Sequence, residues 1–98
     1  MSNIFNGQKT VTAAGTAELL LTTDLDIYVV TIKAKSTNTG LIYVGDGDVD
    51  STHGFILGAG EEVSIFVDTD DTNPYIDSSI NGEGVSYIGW LNEGRSRR

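Results

Sequence analysis

Ninety-eight residues make one small domain, in which fourteen acidic side chains outnumber six basic ones to leave a net charge of −8, and there is no cysteine. That composition excludes a disulfide scaffold, thiolate metal ligands and a thiol nucleophile, and an acidic body repels the phosphate backbone of a nucleic acid. No apolar run approaches the roughly 20 residues that span a bilayer, and the N-terminus lacks a basic-then-apolar signal plan, so neither nucleic acid nor membrane is expected as a partner.

The chain opens with MSNIFNGQKT, polar with Ile4 and Phe5 embedded, and residues 1–8 read as an N-terminal arm, either one that orders on a partner or a sister subunit, or a frayed end. Short runs rich in β-branched and aromatic residues then predict strands over 9–14, 17–22, 26–35, 40–45, 61–68, 74–78 and 85–91, with glycines between them for the turns. The one stretch with a helical period, 13–21, is broken by Gly15. Residues 9–92 form the domain, and a basic tail, 93–98, carries Arg95, Arg97 and Arg98.

Alternation is clean in EEVSIFVD, where Val63, Ile65 and Val67 oppose Ser64, Phe66 and Asp68. In GVSYIGWL, Val85, Tyr87 and Leu91 oppose Ser86, Ile88 and Trp90. In DIYVVTIKAK, Ile27 and Val29 lie opposite Tyr28, Val30 and Ile32. Apolar side chains on both faces need a second cover, from another sheet or a neighbouring subunit. About seven short strands, with turns every few residues and no significant helix, predict an all-β antiparallel sandwich or jelly roll.

YVGDGDVDSTHGF raises the question of chemistry. Asp46, Asp48 and Asp50 match the opening of a calcium loop, but Ser51 stands where that loop needs glycine and Leu57 where it needs glutamate. Three readings stay open: a solvated connection, a contact loop, and a weak metal site. A second acidic cluster, Asp68, Asp70 and Asp71, has no better spacing. Ser51, Thr52 and His53 are neighbours, yet no G-x-S-x-G elbow precedes the serine and His53 is the only histidine. GAGEEVS lacks the lysine and the strand–helix context of a phosphate loop. No catalytic residue, metal ligand or cofactor is therefore assigned, and the chain is not expected to be an enzyme. Tyr28, Tyr43, Tyr75, Tyr87 and Trp90 fall within predicted strands, where core packing is the expected use.

From Lys35 to Trp90 the order is familiar. Asn38, Gly40, Ile42 to Gly45, Gly54, Leu57, Gly60 and Glu61, Val63 to Val67, Tyr75 with Ile76, and the closing VSYIGW follow one another. This order resembles small structural proteins of tailed-bacteriophage virions. The resemblance implies a capsid decoration (cement) protein, a small homotrimeric β domain on the outer capsid surface that bridges major capsid protein subunits, made in the host cytoplasm. It carries no catalytic residues. Under it, Ile4, Phe5 and Lys9 are the expected capsid contacts, and Tyr28 and Phe66 the expected subunit interface. The rival expectation is a recognition module of a phage fibre, neck or tail, whose loop from Asp46 to His53 touches a host glycan or protein.

Overall fold

The computed structural model describes residues 4–21, 27–67 and 73–91. Eight strands are present: β1 (Ile4–Thr10), β2 (Glu18–Leu19), β3 (Ile27–Ala34), β4 (Ile42–Gly45), β5 (Phe55–Leu57), β6 (Glu62–Phe66), β7 (Tyr75–Ser78) and β8 (Gly84–Leu91). They form two four-stranded sheets in the orders β1-β8-β3-β6 and β2-β7-β4-β5, and every pairing is antiparallel. β1 lies beside β8 and β2 beside β7, so the chain is one long hairpin rolled across two sheets, the winding of a jelly roll.

The two inner faces meet in a single apolar core. Ile27, Val30, Ile32, Ala34 and Val85 of the first sheet lie against Ile42, Val44, Leu57 and Ile76 of the second, with Val11 and Leu20 closing the side. Val63, Ile65, Tyr87, Leu91 and Phe5 pack around its margin. The alternation read in the β6 and β8 sequences is the alternation found: their valines, isoleucine and tyrosine turn inward, while Ser64, Phe66, Ile88 and Trp90 turn outward.

Three differences from expectation have physical reasons. Residues 4–8, expected within an N-terminal arm outside the domain, belong to β1, which pairs with β8 along its whole length from Ile4↔Trp90 to Thr10↔Gly84. Polar outward residues and Gly7 hide this strand in the sequence. A Cβ at Gly7 would stand against the hydroxyl end of Tyr87, so a larger residue there needs that side chain to shift. The strand expected over 9–14 accordingly ends at Thr10, and a turn with Gly15 at φ 92° follows. In β3 the register slips between Ile27 and Val29, a bulge that turns Ile27 inward with Val30 and Ile32 and leaves Val29 outward. β5 is an eighth strand that its three-residue length conceals from any periodicity. The acidic run 68–72 and the tail from 92 onward lie outside the described residues.

Candidate functional site

The aspartate loop joins β4 to β5, and its carboxylates build the loop. The Val49 amide donates to the Asp46 carbonyl at 3.0 Å, and the Asp48 amide donates to Asp46 Oδ1 at 3.0 Å. Buried Val49 anchors the loop against Gly54, whose φ is 144° and whose absent Cβ would strike the Val49 side chain. A tight bridge then closes Asp50 on His53, with the Asp50 amide donating to the His53 carbonyl at 2.8 Å.

Asp50 Oδ1 caps that turn. It accepts from the Thr52 amide at 2.8 Å, the Thr52 hydroxyl at 2.9 Å and the His53 amide at 2.9 Å, and lies 3.1 Å from His53 Nδ1. The Thr52 amide first, then the Thr52 hydroxyl and His53, hold its carboxyl at a pKa of about 2. The Thr52 hydroxyl is also 2.9 Å from His53 Nδ1. A nucleophilic relay needs the imidazole to bridge its two partners through two different nitrogens. Here carboxylate and hydroxyl converge on the same nitrogen, which is the geometry of a capped turn. Among the described residues, no group of three or more His, Asp or Glu side chains comes together as a cation would need.

Beside this loop, an open depression of about 310 Å³ lies on the outer face of the second sheet, lined by Tyr43, Asp50, Ser51, Asp77 and Ser79 and by the turn at Gly15. Asp77 is only 1% exposed there, and its Oδ1 accepts from the amides of Gly15 at 2.9 Å and Ser78 at 2.7 Å. This carboxylate fastens the β1–β2 turn over the sheet, so the outer face of the second sheet is partly roofed by its own chain.

Glu83 and the amide of Asn38 do similar work elsewhere. Glu83 accepts from the Thr39 amide at 2.6 Å, the Thr39 hydroxyl at 2.8 Å and the Gly40 amide at 2.8 Å. The Thr39 amide first, against some desolvation, keeps its carboxyl below the usual range. Asn38 exchanges bonds with the Gly84 backbone at 2.9 and 3.3 Å. Asn38 and Gly40, motif residues of the sequence, thus fix the β3–β4 connection to the start of β8.

The residues singled out from sequence separate into three groups. Phe5 lies on the inward side of β1, its ring 6.2 Å from that of Tyr87 and close against Gly89, and packs half-buried at the margin of the core. Lys9 pairs with Glu18 at 3.1 Å. Burial works to raise the Glu18 pKa, but Lys9 and the amides of Thr12 and Ala13 outweigh it and hold the group low. Ile4, Tyr28 and Phe66, by contrast, meet on one surface, the outer face of the first sheet.

That face is ordered in rows by the strand register. Ile4, Trp90, Val29 and Phe66 stand opposite one another across all four strands. Behind them come Asn6, Ile88, Thr31 and Ser64, then Gln8, Ser86, Lys33 and Glu62. Tyr28, at the bulge, sets its ring edge-on to Phe66 with centroids 5.6 Å apart. Ile4, Tyr28, Phe66, Ile88 and Trp90 are each between 42% and 68% exposed. The alternation of the last strand already placed Ile88 and Trp90 together, yet Trp90 reads as core until β1 and β8, first and last in the chain, are known to pair. Phe55 and Ile56, exposed on short β5, carried no sequence signal at all.

Fold and surface together define a jelly-roll β-sandwich whose described carboxylates mostly bind its own turns and whose first sheet carries a row of exposed apolar side chains on its outer face. No family model, no curated protein and no solved structure matches the chain.

Proposed function

We propose that this chain is a structural protein of a tailed-phage virion, a decoration protein that binds the outer surface of the assembled capsid and stabilises it as a homotrimer. The order of turn and strand motifs from Lys35 to Trp90 carries the reading. Two further features support it. The jelly roll is an architecture that viral shell proteins use, an argument by fold analogy alone. The polar residues that looked most like chemistry are occupied in capping turns, as expected of a protein that works by contact. Many modest contacts repeated by the symmetry of a shell add to firm attachment without any one strong site. Of the capsid contacts expected from sequence, Ile4 is exposed at the β1 edge, Lys9 is half-buried and paired with Glu18, and Phe5 is half-buried beside Tyr87. The partner is the major capsid protein, and the place is the outside of the virion. Co-sedimentation of the purified chain with empty heads tests the reading: the chain pellets with heads if it is right and stays in the supernatant if it is wrong.

The depression lined by Tyr43, Asp50, Ser51, Asp77 and Ser79 favours one rival, a recognition module for a host glycan, since hydroxyls and carboxylates beside an aromatic ring suit a sugar. Saturable binding on a glycan array, abolished by Ser51→Trp, would establish that rival; a silent array dismisses it.

A further inference from the structure

We infer that the outer face of the first sheet is where a second copy of this chain packs, with the row from Ile4 to Phe66 at the centre of the contact. The inference deepens the self-assembly part of the reading above and rests on it only there; the capsid assignment plays no part in it.

The row is made by topology. Four strands at about 4.8 Å spacing give it a width of roughly 14 Å, and each strand contributes one outward apolar side chain to it. With Tyr28 and Ile88 added, five large side chains stand about half exposed. Groups of this size carry about 150–250 Å² apiece, so their exposed parts amount to roughly 500 Å². A patch of that size is at the upper end of what a monomer leaves in water. It is also enough to be the apolar centre of an interface that covers about 800 Å² per partner.

Charge decides which partner. The molecule carries −8, so two copies repel wherever their acidic surfaces face each other. Within the strands of this face the charged residues, among those described, are Lys33 and Glu62, which stand opposite each other in register and cancel. The remaining positions are amides, hydroxyls and apolar groups. Two acidic chains can approach on it without like-charge contact between the described strand residues. A basic partner would instead be drawn to the acidic loops. The chain's own neighbouring segments are poor covers: 1–3, 22–26, 68–72 and 92–98 contain only Met1 and Leu25 as large apolar residues.

Sedimentation equilibrium of the full chain tests this, with Trp90, the single tryptophan, as an internal reporter. The wild-type chain is expected to associate, and its emission to shift to shorter wavelength with rising concentration as the indole leaves water. Phe66→Lys is expected to weaken association by about thirtyfold or more, the effect of losing a central aromatic anchor. Ile56→Lys, on the other sheet, leaves association unchanged. Circular dichroism verifies that both variants keep their strands; should Phe66→Lys lose them, Ile88→Lys takes its place. A wild-type monomer at near-millimolar concentration with concentration-independent emission overturns the inference, as does an oligomer that Phe66→Lys leaves intact. Binding to phage heads is read separately: a monomer that pellets with heads removes this interface and keeps the decoration reading, while an oligomer that ignores heads does the reverse.

Discussion

Asp50 shows how one carboxylate can resemble a ligand in sequence and act as a cap in space. Its Oδ1 collects the Thr52 amide, the Thr52 hydroxyl and the His53 amide, and those bonds favour the ionised form, which is why the group titrates at about 2. A carboxyl whose folded pKa lies below its unfolded value, about 3.9, stabilises the fold above that value. The stabilisation is lost as pH falls toward the folded pKa. Asp50→Asn should therefore melt at a lower temperature than the wild type at pH 7, and the gap should close between about pH 4 and pH 2. Melting curves taken through that range decide it, and a gap that persists at pH 2 refutes the assignment. The spacing of Asp46, Asp48 and Asp50 was visible in the chain. Their partners were not, because those partners are amides whose direction depends on the turn.

At the scale of elements, packing between β1 and β8 controls the edge of the first sheet. Phe5 rests where Gly89 has no side chain, and a Cβ at Gly89 would meet the Phe5 ring and the Val29 carbonyl. Gly89→Val is expected to cost about 2–3 kcal/mol in a urea melt through overpacking, and Gly89→Val combined with Phe5→Ala to cost less than the sum of the two changes. Additive losses would mean that the ring and the glycine do not share the space. Strands with strong period-two patterning, β6 and β8, were legible because their inward residues are all apolar. β1 was not, since its outward positions Asn6, Gln8 and Thr10 are polar and its inward ones include Gly7 and Lys9. The bulge at Tyr28 was equally hidden: one extra residue reverses the facing of Ile27 and Val29 relative to a regular strand. The outer row depends on both, and so the candidate surface could be read only in pieces, Tyr28 and Phe66 as an expected interface and Ile88 with Trp90 on one face of the last strand, while their common row came with the structure.

The whole molecule is an acidic sandwich with an uneven surface. Acidic side chains bind turns at several points, at Glu83, Glu18, Asp50 and buried Asp77, while one sheet face is close to neutral and apolar at one end. Such a molecule is suited to covering and being covered. Strand spacing already pointed to two sheets in the sequence. The winding of those sheets came only with long-range pairing, which no local pattern encodes. The decoration reading makes one direct demand. Purified chain titrated onto empty heads of the phage that encodes it should pellet with them, saturate at a fixed ratio to the capsid subunit, and raise the temperature at which the heads break open. A chain that stays wholly in the supernatant at every ratio, leaving the heads' thermal rupture unchanged, contradicts the account.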